Sequence, residues 1–365
     1  MKVTHKGESR HYRTVWFDEA RNRVRLIEQR LLPHKFKVVS TADYHETARA
    51  ITDMIVRGAG AIGATAAYGL AQGARAFRGS RLGEFRRHVD RVHKTLRDAR
   101  PTAVDPINAM NGVRAAMAES RTVSGRQQLA LEAAERFADE DVAHCEAIGQ
   151  MGLPLIRRGL RVLTHCNAGA LAFVDVGSAT APLYAAHTIG RKFRVFCSET
   201  RPRGQGAALT AWELARAGIE HEIIADGAAG HLMQRGEIGL VITGSDRVLG
   251  RTGEVANKIG TYTKAVLAAR HKIPFYVAIP LSTLDWELRD GKGIPIEERD
   301  PAEVLSAWGT DNRGCFREIR IANPTSSARN PAFDVTPSEL ITGIITPKGI
   351  FKPRDLWRQR KRLGF

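Results

Sequence analysis

The chain has 365 residues, 43% of them hydrophobic and 26% charged, enough for about two globular domains that need no metal or disulfide staple. Its four cysteines, Cys145, Cys166, Cys197 and Cys315, make no CxxC pair or zinc-spaced cluster, which points to a reducing compartment. The 55 Lys and Arg against 39 acids give a net charge of +16, yet no recognition motif or aromatic platform accompanies the excess, so nucleic acid is not the expected partner.

That charge lies partly in an Arg-rich segment at 81–100 and partly in a basic tail (Lys352, Arg354, Arg358, Arg360, Lys361, Arg362). It reads as the solvated face of a protein that handles anionic metabolites. The start, MKVTHKGESRHYRTVWFDEA, has no apolar run, and no stretch approaches the ~20 apolar residues of a membrane span. A cytoplasmic protein without a membrane partner is expected.

Residues 12–40 alternate apolar and polar positions, which predicts short antiparallel strands. From Tyr44 to about Gln150 the spacing turns helical, with Ala-rich stretches at 61–78, an amphipathic segment at 81–99, and long periodicities at 106–120 and 125–150. After Pro154 come short apolar runs, RVLTHC (161–166), FRVFC (193–197), HEIIA (221–225), GLVITG (239–244) and PFYVAIP (274–280), separated by helical spacing. Such alternation is the mark of a parallel sheet covered on both faces. The expected fold class is α/β: an N-terminal β extension plus helical domain over 1–150, then a Rossmann-like, doubly wound domain over 151–365. The stretch 321–338 reads as loop.

In such sheets ligands bind beyond the carboxyl ends of the strands, so the residues after each apolar run are the candidates. The first run ends in Cys166-Asn167-Ala168-Gly169, whose small residues would let a helix start at once beside an anion. A helix N-terminus there would lower the Cys166 pKa; alternatively Cys166 is a small buried hydrophobe. The second is followed by Glu199-Thr200-Arg201-Pro202-Arg203-Gly204-Gln205-Gly206, where arginines and Gln205 suit oxyanion binding and Glu199 could pair with an arginine. The fourth delivers Ser245-Asp246-Arg247. Asp246 is there either as a general acid/base or as the partner of Arg247 or Lys258, or a cap. Asn257 and Lys258, just beyond, could bind hydroxyls and phosphate.

In the N-terminal half, Arg57-Gly58-Ala59-Gly60-Ala61-Ile62-Gly63 fits GxGxxG in form. The segment before it is helical and no acid-tipped strand follows, so a dinucleotide site is rejected. What remains is a Gly-rich turn edged by Arg57 that opens a helix at Ala61, a phosphate cradle. Arg100-Pro101-Thr102 makes a second cationic corner. Neither a metal nor a cofactor is expected.

These segments, in this order, resemble the methylthioribose-1-phosphate isomerase family, which shares its fold with the regulatory subunits of translation initiation factor 2B. The resemblance is carried by QRLLP (29–33), the Arg57 turn, RPTAV (100–104), THCNAGALA (164–172), ETRPRGQGAALTAWEL (199–214), GSDRV (244–248), GEVANKIGTYTKAVLA (253–268), PFYVAIPLSTLD (274–285), IPIEERDP (294–301) and NPAFDVTPSELITGIIT (330–346). It implies a homodimer that isomerises a phosphorylated pentose without a cofactor. It also implies catalytic Cys166 and Asp246, with substrate held by Arg57, Gly58, Ala59, Arg100, Gln205, Asn257 and Lys258. Four positions depart from the family pattern: Gly60 for proline, Ser198 for aspartate, Ser245 for alanine and Asp105 for asparagine. They leave 5-deoxyribose 1-phosphate as an alternative substrate; ribose 1,5-bisphosphate, which would need a second phosphate cradle that no motif marks, is a further alternative, and a silent regulatory module is the rival reading.

Overall fold

The structure is a computed structural model that describes residues 1–5, 7–100 and 104–365. Pro101 and Thr102 of the expected cationic corner, with Ala103, lie outside the described residues.

A hairpin of β1 (Lys2–His5) and β2 (Glu8–His11) opens the chain. The alternating segment then forms the predicted antiparallel sheet of β3 (Val15–Asp18), β4 (Arg23–Ile27) and β5 (Val38–Thr41). Its inward face, Val15, Val24 and Leu26, is fully buried against the helices that follow. α1 (Tyr44–Thr52) starts where the Asp43 carboxylate accepts the amides of His45 and Glu46 at 2.8 and 2.9 Å, an N-cap that satisfies two orphan donors.

α2 (Ala59–Ala76) is the hub of this half. Its small residues leave it buried on nearly every face, so the neighbouring helices can approach closely. Around it pack α3 (Leu82–Asp98), α4 (Asp105–Ala118) and the 30-residue α5 (Val123–Gly152). α3 buries Phe85, Val89, Val92 and Leu96, one stripe at 3- and 4-residue spacing, and turns its arginines outward. α2 begins at Ala59, two residues before the expected start.

The C-terminal part alternates strands and helices as the apolar runs predict. In chain order the strands are β6 (Arg161–His165), β7 (Arg194–Ser198), β8 (His221–Ile224), β9 (Leu240–Thr243), β10 (Arg247–Leu249) and β11 (Val255–Lys258). They continue with β12 (Phe275–Ala278), β13 (Leu284–Asp285), β14 (Ser306–Thr310), β15 (Phe316–Arg320), β16 (Phe333–Thr336), β17 (Gly343–Thr346) and β18 (Gly349–Phe351). The main sheet, among the described residues, has the order β18-β17-β12-β9-β6-β7-β8. Every neighbouring pair in it is parallel except β17 with the edge strand β18.

Both faces are covered. Leu163, Val241, Val277 and Ile344 pack on one side, and Val162, Val195, Ile242 and Ile345 on the other. The inner strands therefore read as continuous apolar runs, because their two sets of side chains enter two different cores, whereas the edge strand β8 leaves Glu222 and Ile223 exposed. A second, four-stranded sheet, β13-β10-β11-β16, stands beyond the end of β9.

Two sequence expectations fail here. No helix starts after β6: the chain bends, makes one 3-10 turn at Ala170–Ala172, and reaches α6 only at Ala181–Thr188. The Glu213 carboxylate, buried in α7 (Ala211–Ala217), accepts the Ala170 and Leu171 amides at 2.7 and 3.2 Å. Those amides serve an internal acceptor and are not offered to a ligand. The stretch 321–338 is not all loop either, since β16 inside it pairs antiparallel with β11 along Val255–Lys258.

Candidate active site

Read across the sheet from β8, the strand order runs β8-β7-β6-β9-β12-β17, and chain direction through the sheet reverses between β6 and β9. A crevice opens at such a switch point because the connections leave in opposite directions. β6 and β9 are neighbours there, with Val162 beside Leu240 and Leu163 beside Val241. Cys166 follows β6 directly, and Asp246 lies three residues past the end of β9. The nine residues expected to be catalytic or substrate-binding, Arg57, Gly58, Ala59, Arg100, Cys166, Gln205, Asp246, Asn257 and Lys258, line one pocket at this crevice. The arginines expected to bind an oxyanion beside Gln205 do not: Arg201 donates to the Val304 carbonyl at 2.9 Å and Arg203 pairs with Glu303 at 2.9 Å.

Backbone bonds hold the two reactive candidates. Cys166 has φ of 63°, a left-handed conformation uncommon outside glycine. Its amide donates to Thr200 Oγ1 at 2.8 Å, and its carbonyl accepts from the Thr210 hydroxyl at 2.7 Å. The Asp246 amide donates to the Ala256 carbonyl at 3.1 Å, which ties it to β11. Ser245 supports this turn, its hydroxyl donating to the Arg247 and Ala256 carbonyls at 2.8 and 2.9 Å. Arg247 Nη1 pairs with Asp285 at 2.9 Å. Glu199 accepts the Asp226 amide at 3.4 Å.

The electrostatics follow from burial opposed by nearby charge. Burial pushes the Cys166 thiol up, against the pull of Arg57 and Lys258, with Asp246 adding to the rise. The expected lowering by a helix N-terminus is absent because no helix begins there. Burial also raises Asp246, opposed by Lys258, Arg100 and Arg57, so its carboxyl holds a proton to higher pH than an exposed aspartate. Lys258 moves the other way: burial lowers it, while Cys166 and Asp246 hold it up.

The cationic side is built into the protein. Arg57 is buried and its guanidinium donates to the side-chain and main-chain oxygens of Asn167, the latter at 2.7 Å. Asn167 is held in turn by Glu213 at 2.8 Å. Arg100 stands 3.5 Å from Glu297. The Lys258 ammonium lies 4.7 Å from the centre of the Phe333 ring, a cation–π contact in a dry setting. Asn257 donates to Thr261 Oγ1 at 3.0 Å, and the buried Gln205 Oε1 has no hydrogen-bond partner among the described residues.

Gly58 caps α2 with φ of 95°, and a Cβ there would come within 2.6 Å of the Ala172 carbonyl oxygen. The Arg57–Ala59 turn and the Cys166 loop meet through this position.

Several lining residues were not assigned a role from the sequence: Asn167, Asp105, which was noted only as a departure from the family pattern, and an apolar wall of Met54, Ile62, Phe173, Pro295 and Phe333. The apolar ones carry no local signal: Met54, Pro295 and Phe333 lie away from the strand-end motifs, and Ile62 and Phe173, though next to or within quoted motifs, look like ordinary core residues. Asn167 was legible only as part of the small-residue stretch after β6.

Compared with known proteins, residues 55–353 match the Initiation factor 2 subunit family. Methylthioribose-1-phosphate isomerase of Methylorubrum extorquens is 46% identical over 353 residues, covering 94% of both chains. That of Acidiphilium cryptum is 47% identical, covering 93% of this chain and 92% of its own. This chain belongs to the methylthioribose-1-phosphate isomerase family, within the wider initiation factor 2 subunit family. As a member it is an enzyme, an aldose–ketose isomerase. Among solved structures, 5-methylthioribose 1-phosphate isomerase from Pyrococcus horikoshii superposes with a TM-score of 0.85 at 41% identity, covering 97% of this chain and 96% of that one. Translation initiation factor eIF-2B, subunit delta, from A. fulgidus follows the same fold with a TM-score of 0.81 at 38% identity, over 97% and 100%.

Proposed function

We propose that this protein converts 5-methylthioribose 1-phosphate to 5-methylthioribulose 1-phosphate, a step of methionine salvage, with Cys166 and Asp246 as its catalytic pair. The observation that carries the reading is the meeting of a thiol and a carboxyl group from neighbouring strand ends beside buried Arg57 and Lys258. The substrate is an aldose locked by phosphate on its anomeric oxygen, so the ring must open while the phosphate stays. Arg57, Arg100, Lys258 and the Gly58–Ala59 turn hold the phosphate, with Gln205 and Asn257 on the sugar oxygens.

Asp246, whose carboxyl burial shifts toward the protonated form against the pull of Lys258 and the arginines, protonates the ring oxygen as its bond to C1 breaks. The hydrogen on C2 then passes to C1, either as a proton that Cys166 takes from C2 to leave an enol phosphate and returns to C1, or directly as a hydride. In both routes the C2 hydroxyl proton leaves to Asp246, which regains the proton it gave to the ring oxygen. In both routes C1 is reduced as C2 is oxidised, so no external oxidant or reductant is consumed. The apolar wall of Met54, Ile62, Phe173 and Phe333 supports the hydride route by disfavouring separated charge.

The test is to offer the purified protein 5-methylthioribose 1-phosphate, 5-deoxyribose 1-phosphate and ribose 1,5-bisphosphate and follow ketose formation. Preference for the first is expected, and no ketose from any would reject the reading in favour of a silent module. The four departures from the family pattern, with Asp105 in the pocket wall among them, keep 5-deoxyribose 1-phosphate as the second reading. In deuterated water, deuterium at C1 of the product would exclude the pure hydride route. We also propose a homodimer, supported by exposed Trp308, Ile319 and Ile321 around the β14–β15 hairpin; sedimentation at the monomer mass would rule it out.

A further inference from the structure

One pocket residue that the proposed mechanism leaves unused is Asp105. It opens α4, whose second residue is Pro106, so its backbone is fixed by a first helical turn. Asp105 is 2% exposed and lines the same pocket as Cys166 and Asp246. One oxygen, Oδ1, is buried with no hydrogen-bond partner among the described residues. A buried carboxyl oxygen left without a donor is costly, and buried polar atoms of this kind call for an explanation.

The chemistry narrows the explanation. A carboxylate repels phosphate, so Asp105 does not belong to the anion cradle. Burial is the main influence on its acidity and lifts its pKa to about 6, with Asp246 adding to the rise and the Ser282 hydroxyl and Arg247 opposing it. Near neutral pH such a group can accept a hydrogen bond, and when protonated can also give one. The hydroxyl-bearing face of a furanose offers both.

We infer that Asp105 is a further substrate ligand, its carboxyl group hydrogen-bonded to a ring hydroxyl of the bound sugar phosphate. This rests on the proposed sugar-phosphate substrate and adds to it a contact for the ring, separate from those for phosphate and for the reacting carbons. It also gives the departure from the family's asparagine a limited meaning: an amide of the same shape can make the contact, whereas a methyl group cannot.

The test compares Asp105→Asn with Asp105→Ala. Asp105→Ala should lower kcat/KM for 5-methylthioribose 1-phosphate about tenfold, carried by KM, and Asp105→Asn should stay within about threefold of the parent. A merely structural role is separated by ligand analogues. In a Cys166→Ala background, where turnover does not intervene, calorimetry gives dissociation constants for the sugar phosphate and its 2-deoxy and 3-deoxy forms. The Asp105→Ala change should weaken the parent sugar about tenfold and leave one of the two deoxy analogues unaffected. Equal weakening of all three ligands, or none, overturns the inference. If the parent enzyme turns over none of the sugars, the isomerase reading fails on that result alone, while the analogue comparison still reads Asp105 as long as the sugar phosphate binds.

Discussion

Arg57 shows how much of this site depends on side-chain geometry. Its two nitrogens reach two oxygens of Asn167, and that fork fixes the face it turns to the pocket. Lysine has the charge without the fork, so Arg57→Lys should raise KM by tenfold or more while kcat changes less. Steady-state kinetics on the phosphorylated sugar checks this; an unchanged KM would mean that Arg57 is only a brace for Asn167. Gly58 is constrained more severely. At its φ of 95°, with the Ala172 carbonyl 2.6 Å from where a Cβ would sit, Gly58→Ala combines backbone strain with a clash against main chain. Strain of this kind costs about 1–3 kcal/mol by itself, so thermal unfolding should move several degrees lower and activity should fall with the displaced turn. A stable, active Gly58→Ala enzyme would show that the turn and the Cys166 loop are not tightly coupled. For the catalytic pair, Cys166→Ser and Asp246→Asn should each lose more than ~100-fold in kcat, and near-normal turnover in either removes that residue from the mechanism.

At the level of elements, the five apolar runs from 161 to 280 all became strands of one sheet, four of them because hydrophobic continuity survives where both faces are buried, and β8 as a half-exposed edge strand. β16 was missed since its FDVT sits in a Pro- and Ser-rich stretch and pairs with β11, far away in sequence. The missing helix after β6 has a similar cause: the small residues from Ala168 to Ala170 look like a helix start locally, but the Ala170 and Leu171 amides are captured by Glu213, more than forty residues on. The strand-end motifs were legible because topology brings strand ends together. The pocket's apolar wall was not, because nothing in Met54 or Phe333 announces that they will meet. One further inter-element tie bears on stability. Asp141 of α5 is buried, accepts the Val174 amide at 2.7 Å, and has its pKa pushed by burial to about 7. The folded state thus keeps a proton that the unfolded chain gives up near pH 4. Stability from this group is present at low pH and is lost as pH rises from about 4 to about 7. Asp141→Asn should flatten that fall. Urea unfolding of both proteins at pH 5 and pH 7.5 measures it, and parallel behaviour of the two would assign the proton elsewhere.

For the molecule as a whole, the surplus of sixteen positive charges surrounds a pocket that contains buried Arg57 and Lys258. A phosphorylated sugar approaching such a body feels an attractive field well before contact, and salt shortens the reach of that field to roughly 10 Å at 0.1 M. Encounter should therefore depend on salt more than chemistry does. Raising sodium chloride from 20 to 200 mM is expected to lower kcat/KM several-fold while kcat stays nearly constant, since the groups around the reacting carbons are buried and poorly screened. Replacing the tail charges Arg358, Arg360, Lys361 and Arg362 by glutamine separates a distant field from contact. These residues do not line the pocket, so the substitution should reduce the salt dependence without changing kcat. A kcat/KM indifferent to salt would leave the basic surface with no part in substrate capture, and duplex DNA or RNA competing with the sugar phosphate at low salt would reassign that surface to nucleic acid.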